Sequence, residues 1–275
     1  MIPTFLVSQL VRQHCTVALG GDGGDELFGG YEHYSRLEWM QQRLGSIPRP
    51  VRKGIALAAV KLLPVGFKGR NWLQGLGVDL DKSLPLIASY FDSTTRGRLL
   101  ANQPGCPLAA ESVLKGLVPV HPDLLQRATR MDFANYLAED ILVKVDRASM
   151  LNSLEVRAPL LDYRLIEFAF GKVPLYLKAT KTEKKILLKL LTDRVLPPEF
   201  DRQRKQGFSI PLKEWLKGGT FRGLFNEVLG DPQCSFDAGT VESLLRGQDQ
   251  GRNNGERLFA LVLFELWRLE YGVTF

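Results

Sequence analysis

The residues with the clearest chemical potential lie between Val17 and Tyr31, in the stretch VALGGDGGDELFGGY. A short apolar run, which predicts a buried strand, ends in glycines that alternate with the carboxylates Asp22, Asp25 and Glu26. Glycines permit positive φ angles and let backbone N–H groups approach a ligand closely, which suits a phosphate. Because three carboxylates would repel a phosphate, the pattern requires a divalent cation such as Mg²⁺. It predicts a Mg-nucleotide site, with a glycine-rich turn or a calcium-binding loop as alternatives.

Two further groups of polar side chains have a spacing that suits a binding or catalytic site. Thr180 and Glu183 have capping-box spacing, so we expect a helix to start there with Lys184 in its first turn. Helix N-termini attract anions, and a lysine there adds a cation to a phosphate site; a plain surface lysine is the alternative. Asp140 and Lys144 are four residues apart on a predicted helix, a spacing that is also typical of a solvent-exposed ion pair.

Four stretches of the chain resemble the asparagine synthetase family, in that family's order. They are LGGDGGDELFGGY at 19–31, EDILVKVDRASMLNSLEVRAPLLD at 139–162, TEKKILLKLL at 182–191 and RQRKQGFSIPLKEW at 202–215. The resemblance is to the ATP-dependent synthetase domain. It implies a mostly α-helical fragment of an α/β synthetase domain with the adenine-nucleotide-hydrolase-like (ATP pyrophosphatase) fold. A single partial domain is then expected over residues 1–275, with the family's pyrophosphate loop and glutaminase domain absent from this chain.

The resemblance also implies a reaction and a set of site residues. Members of the family use ATP and Mg²⁺ to convert aspartate to β-aspartyl-AMP and pyrophosphate, and ammonia from glutamine then displaces AMP to give asparagine. By matching position, the implied roles are nucleotide contact for Gly20, Gly21, Gly23 and Gly24, Mg²⁺ binding for Asp25, proton acceptance for Asp22, α-phosphate contact for Lys184, and substrate contact for Asp140 and Lys144.

The chain departs from the family pattern at three positions that bear on these roles. Gly20 stands where the family usually has serine, and Asp22 where many members have glutamate. Leu188 stands where the family usually has arginine, which weakens the match around Lys184 and makes Lys185 the alternative. A related amide or lactam synthetase with another acyl substrate remains open. So does a catalytically incomplete chain that acts only with its missing N-terminal half or with a partner subunit.

Composition narrows the remaining function classes. The net charge of +6 comes without an arginine-rich tract, so nucleic-acid binding is not expected. Cys15, Cys106 and Cys234 are odd in number and far apart, which favours neither a disulfide framework nor a zinc site and fits a reducing cytoplasm. No apolar run is long enough for a membrane span, and the N-terminus does not resemble a signal peptide. The sequence leaves the oligomeric state open, a homodimer included.

Hydrophobic periodicity predicts the elements that position these residues. One clear strand is expected from Thr16 to Leu19, and no second convincing strand run is found. Asp162 is expected to cap the helix that follows it. The basic loop at 202–207 is expected either to fold over the phosphates or to be a solvated surface loop. Helices are predicted at 5–13, 55–63, 84–100, 109–117, 124–151, 163–170, 209–216 and 256–271, the last as a core element that is apolar nearly all round.

Overall fold

A computed structural model describes residues 1–44, 46–81, 83–85, 90–101, 116–197, 199 and 210–274. The described part is mostly helical, with one small parallel sheet of two strands. The helices are α1 (Ile2–Arg12), α2 (Gly24–Phe28), α3 (Glu32–Leu44), α4 (Arg49–Leu62), α5 (Arg70–Gly75), α6 (Ser93–Leu99), α7 (Leu124–Asp132), α8 (Leu142–Met150), α9 (Tyr163–Gly171), α10 (Ile186–Val195), α11 (Leu212–Trp215), α12 (Gly219–Gly230), α13 (Ala238–Asp249) and α14 (Gly255–Glu270). The strands are β1 (Val17–Leu19) and β2 (Glu155–Arg157). None of the described helices is long and apolar enough to cross a bilayer.

One compact unit comprises Met1–Ser46, Leu80–Leu84 and Leu117–Ile210, and it carries the glycine-rich loop. Within it α1 packs on α8, while α2 packs against α7 and α9. The core beneath α2 is built from Leu27, Phe28, Ala169 and Val173. The short helix that follows the loop is therefore anchored from below by apolar contacts.

A second compact unit comprises Ile47–Asp79, Pro85–Gly116 and Pro211–Phe275. Here α4 packs on α5, and α12 packs on α14. Its core contains Leu99, Leu216, Phe225, Val228, Leu229, Val241, Leu244, Leu258, Leu261 and Val262. The aliphatic side chains of α12, α13 and α14 supply most of this core, although α12 and α13 are not among the helices predicted from the sequence.

The strand predictions are half right. β1 forms within the predicted range, but Val17 is 39% exposed and Leu19 is 74% exposed, so the expectation of a buried strand is wrong for the described chain. The prediction of no second strand is also wrong, because Val17–Leu19 pairs in parallel with Glu155–Arg157. β2 escaped detection because a three-residue Glu-Val-Arg run gives too short an alternation to be distinguished from a loop.

The long helix predicted over 124–151 is interrupted. Its middle part, Phe133–Ile141, is a π-helix between α7 and α8. This changes the phase of the side chains, so that Ala134 is exposed whereas Leu137 and Ala148 are buried. Such π segments follow from tertiary packing and have no simple sequence signal.

The predicted core role of the last helix is only partly correct. Leu258, Leu261 and Val262 of α14 are buried, but Leu263 and Trp267 on its other side are about half exposed. Two other predicted helices differ in extent. The helix predicted at 55–63 begins earlier, at Arg49. Within the range 84–100, where one helix was predicted, the described residues form only the short helix α6. The helix at 109–117 and the basic loop at 202–207 lie outside the described residues, except for positions 116 and 117.

Candidate functional site

The glycine-rich loop connects the end of β1 to the start of α2. The Gly20 N–H donates to the Arg157 carbonyl oxygen at 2.7 Å, which extends the β1–β2 ladder by one residue. Gly23 then adopts φ = +86°, a left-handed conformation that favours glycine, and α2 begins at the next residue. A Cβ at Gly20 would lie 2.7 Å from Asp22 Oδ2, whereas nothing lies within 4 Å of one at Gly21. The loop is thus tightly packed at Gly20 and open at Gly21.

Asp25 forms an ion pair with Lys185 beside this loop. The Lys185 Nζ atom lies 2.9 Å from Asp25 Oδ1, and both side chains are about one third exposed. Gly30 contacts the pair, because a Cβ there would overlap both Asp25 Oδ1 and Lys185 Cε. Glycine at position 30 therefore makes the space in which the two charges meet.

Lys184 is not in the first turn of a helix, so that prediction is wrong. Thr180 and Glu183 do hydrogen-bond each other, Glu183 N–H to Thr180 Oγ1 at 3.1 Å and Thr180 N–H to the Glu183 carbonyl at 2.8 Å. These bonds close a tight turn, and α10 starts only at Ile186 with Lys185 as its N-cap residue at φ = +53°. The Lys184 Nζ atom lies 3.0 Å from Glu32 Oε2, and this hydrogen bond lowers the pKa of the Glu32 carboxyl.

A cluster of polar side chains, one of them buried, connects α2 to the residues that follow it. The Glu26 side chain is almost fully buried, and the Tyr31 hydroxyl donates to Glu26 Oε1 at 2.5 Å. Burial raises the pKa of the Glu26 carboxyl, and the hydrogen bond from Tyr31 opposes that rise. The Tyr31 ring stacks on His33, whose Nε2 atom lies 2.8 Å from Asp132 Oδ2. Sequence spacing gave no signal for the His33–Asp132 contact, because the two residues come from different helices.

Asp22 faces a small pocket of about 190 Å³. The pocket is lined by Asp22, Leu142, Val145, Asp146, Ser149, Met150, Glu155, Val156 and Ala158. It therefore lies between the loop, α8 and β2, and its lining combines carboxylates with apolar side chains. Sequence reasoning did not select Asp146, although its position one turn beyond Leu142 on α8 is readable from helical spacing.

Asp140 and Lys144 are not among the residues that line this pocket. Asp140 is exposed and Lys144 is half-buried. Both are close enough to the Met1 amino group to act on its pKa. Burial is the main cause that lowers the pKa of this amino group; Lys144 lowers it further, whereas Asp140 raises it. Among the ion pairs of the described residues none joins Asp140 to Lys144, so the solvent-exposed pair is not formed either.

The predicted structural role of Asp162 is confirmed. The Arg164 N–H donates to Asp162 Oδ1 at 2.9 Å, so Asp162 caps α9 as expected. Arg157 Nε donates to Glu155 Oε1 at 2.7 Å, and both side chains of this ion pair are exposed.

The model of one protein family, described as asparagine synthase, matches residues 1–269. The chain belongs to the asparagine synthase family. It is 30% identical over 281 residues to a provisionally named glutamine-hydrolysing asparagine synthetase of Mycobacterium tuberculosis, and 28% identical over 272 residues to glutamine-hydrolysing asparagine synthetase 1 of Bacillus subtilis. These matches cover 97% of this chain but only 41% and 42% of the relatives, so the chain spans about two fifths of their length. No solved structure matches it.

The family membership makes the fit of a metal to this loop worth testing. Among the described residues there is no group of three His, Cys, Asp or Glu side chains that could hold a metal ion by itself. Mg²⁺ does not need one, since it is often bound by one or two carboxylates together with substrate phosphates and waters. Asp25, one third exposed at the end of the open loop, is a carboxylate of that kind. The donor set thus fits a Mg-nucleotide and does not fit a metal held by protein ligands alone.

Proposed function

We propose that this chain provides part of an ATP-dependent amide ligase that makes asparagine from aspartate through β-aspartyl-AMP, with release of AMP and pyrophosphate. The observation that carries the proposal is the Asp25–Lys185 pair beside the glycine-rich loop, which is open at Gly21, together with the pocket that Asp22 of the same loop faces. A carboxylate for Mg²⁺, a cation for phosphate and a second carboxylate for proton transfer are thereby available around one loop. The family and its relatives support the reaction class.

In this proposal the loop backbone from Gly20 to Gly24 contacts the nucleotide, and Asp25 is a Mg²⁺ ligand. Mg²⁺, when bound, would neutralise charge on the phosphates during transfer. Asp22 would accept a proton from the attacking ammonia, because a neutral amine must lose a proton as the amide forms. The pocket beside Asp22 is the candidate acyl site, whereas Asp140 and Lys144 keep a substrate role only as a prediction from the family resemblance.

For the α-phosphate cation we propose Lys185, with Lys184 as the alternative. Lys185 is the N-cap residue of a ten-residue helix and reaches Asp25, so the helix dipole and its ammonium act at the same place. Lys184 is engaged by Glu32 instead. The two adjacent lysines differ in environment but not in chemistry, and each is therefore the matched control for the other.

We further propose that an N-terminal half or a partner subunit completes this site. β1 pairs only with β2 among the described residues, so its other edge is unpaired there, and the Val17 and Leu19 side chains on one face of the strand are exposed. An apolar strand with one unpaired edge is a template for another strand. The same proposal includes the adenine-nucleotide-hydrolase-like fold, a single partial domain over 1–275 and a cytoplasmic location.

The test is aspartate-dependent exchange of labelled pyrophosphate into ATP, measured with this chain alone and with a longer polypeptide that carries the upstream half. We expect little or no exchange from the chain alone. In the longer polypeptide, Asp25→Ala and Lys185→Ala should each reduce exchange by about 100-fold or more, since each removes a charge that stabilises the transfer of the adenylyl group and the release of pyrophosphate. Lys184→Ala should stay within about threefold, and glutamine hydrolysis should be unchanged in all three variants.

Different outcomes would separate the alternatives. Full activity of the chain alone would contradict the split site. A loss in Lys184→Ala but not in Lys185→Ala would reverse the lysine assignment, and unchanged exchange in Asp25→Ala would refute its metal role. Exchange that depends on another carboxylic acid and not on aspartate would favour the related amide or lactam synthetase.

A further inference from the structure

The second compact unit contains a cavity of about 480 Å³ for which the proposed reaction has no use. Its walls are the end of α4 with the residues that follow it, the first residue of α5, one face of α6 and the first two turns of α13. The lining residues are Val60, Lys61, Leu62, Leu63, Pro64, Val65, Arg70, Thr95, Arg98, Asp237, Gly239, Thr240, Ser243, Leu244 and Arg252. A volume of this size is typical of sites for small molecules.

Positive charge dominates the lining. It contains the four cations Lys61, Arg70, Arg98 and Arg252 but only one carboxylate, Asp237. Asp92, which is paired with Arg70, adds a second negative charge nearby, so four positive and two negative charges leave a net charge of +2. Neither Lys61 nor Arg98 forms an ion pair within the part of the chain that the structure describes. The excess charge is therefore not neutralised by described residues.

Arg70 is held in a fixed position at this cavity. It is only 3% exposed, its Nε donates to the Leu63 carbonyl at 2.9 Å, and its Nη1 donates to Asp92 Oδ2 at 2.6 Å. Asp92 is itself held by the N–H and hydroxyl groups of Thr95. Arg70 is thus a guanidinium held by two hydrogen bonds in the cavity wall. A guanidinium with a fixed orientation is a suitable group for binding an oxyanion.

We propose that this cavity binds the phosphate monoester of a small organic metabolite. A phosphate monoester carries a charge of about −1.5 to −2 at neutral pH and three strong acceptor oxygens, which matches the net charge of +2. The aliphatic part of the wall, formed by Val60, Leu62, Val65 and Leu244, would contact the organic body. Ser243 at the cavity adds a hydroxyl donor. The site lies within one unit and is independent of the glycine-rich loop.

The experiment is isothermal titration calorimetry of the purified chain with glycerol 3-phosphate, inorganic phosphate and glycerol, at constant ionic strength. We expect glycerol 3-phosphate to bind with a Kd below about 1 mM, more tightly than inorganic phosphate, and glycerol not to bind. Arg98→Ala should weaken binding by about tenfold or more, because it removes an exposed cation whose loss does not threaten folding. Lys53→Ala, an exposed lysine on α4 outside the cavity, is the matched control.

Lys185→Ala is a second control, because phosphate could also bind at the glycine-rich loop. Binding that falls in Arg98→Ala but persists in Lys53→Ala and Lys185→Ala supports the proposal. Equal loss in Arg98→Ala and Lys53→Ala, loss in Lys185→Ala, or no saturable heat up to about 10 mM ligand would overturn it. Inorganic phosphate binding as tightly as glycerol 3-phosphate would overturn the monoester assignment. None of these outcomes bears on pyrophosphate exchange, so the proposed ligase function stands or falls separately.

Discussion

Replacing Lys178 by methionine is expected to stabilise the protein at neutral pH. The Lys178 side chain has no exposed surface, and its Nζ atom has no hydrogen-bond partner among the described residues. Nζ lies 4.8 Å from the centre of the Phe170 ring, and the Asp123 carboxylate attracts the ammonium from farther away. Burial, assisted by repulsion from Arg130, lowers the pKa of Lys178 from 10.5 to about 8. The charged lysine is thus a buried cation that forms no ion pair with the described residues, and the attraction of Asp123 does not offset its burial.

The size of the effect follows from that pKa. The difference between 10.5 and about 8 corresponds to about 3 kcal/mol of unfavourable free energy when Lys178 is charged, at ~1.36 kcal/mol per pH unit. A methionine of similar length fills the same space but loses the cation–π contact, worth roughly 0.5–2 kcal/mol. Lys178→Met should therefore raise the free energy of unfolding at pH 7 by about 1–3 kcal/mol.

The pH dependence has a definite sign. Below about pH 8 Lys178 is charged in both the folded and the unfolded chain, so the penalty is complete. Between about pH 8 and 10.5 the folded chain has lost the proton that the unfolded chain still holds, and wild-type stability gains up to ~1.4 kcal/mol per pH unit from this group. The advantage of Lys178→Met should therefore shrink as the pH rises from 8 to 10.

Urea unfolding of wild type and variant at pH 7, 8, 9 and 10 measures this difference, and other titrating groups cancel in the comparison. Lys189→Met, which removes an exposed lysine from α10, is the control and should change stability by less than about 0.5 kcal/mol at every pH. A Lys178→Met protein that is less stable than wild type at pH 7 would refute the reasoning. So would an advantage that stays constant up to pH 10.

Three other substitutions can be tested in the same unfolding assay. Tyr31→Phe removes the hydrogen bond to buried Glu26 and should cost about 1–3 kcal/mol at pH 7; because the pKa of Glu26 is raised by burial, the cost should decrease on acidification as that carboxyl takes up a proton. Asp92→Asn should cost about 2 kcal/mol at pH 7, because the hydrogen bonds from Arg70 and Thr95 overcome the effect of burial and lower the pKa of Asp92 from 3.8 to about 2; the difference should vanish as the pH falls from 4 to 2. Asp162→Ala should cost about 1 kcal/mol through loss of the α9 cap, and an unchanged midpoint would show that the cap is dispensable.

The parts of the fold that the sequence predicted are those governed by local rules. The strand that ends in glycine and the cap at Asp162 both depend on neighbouring residues only. β2 was missed because its three residues become a strand only by pairing with β1, which is distant in the chain. The π segment over Phe133–Ile141 has the same origin, since its hydrogen-bond pattern is imposed by packing.

The residues of the candidate site can likewise be divided into those that local sequence rules identify and those that require the structure. Asp22 and Asp25 could be selected from the glycine pattern, because residue type and spacing identify a ligand loop. Choosing between Lys184 and Lys185 required the structure, since the turn closed by Thr180 moves the helix start by several residues. The predicted helix does form, as α10. The hydrogen bonds between Thr180 and Glu183, however, close a turn before the helix and do not cap it.

If the proposed function is correct, the Asp25–Lys185 pair also explains how the glycine-rich loop can be stable without nucleotide and still bind a nucleotide. Both side chains are about one third exposed, so opening the pair costs about 1 kcal/mol or less. Each partner would then meet a new opposite charge, Asp25 the metal and Lys185 a phosphate, and neither is left as a bare charge. Because Gly30 has no side chain, the ammonium and the carboxylate can separate without displacing a neighbouring group at that position. The ion pair therefore stands in for the ligand's charges while the loop is empty, and its low cost of opening leaves most of the binding free energy to the nucleotide.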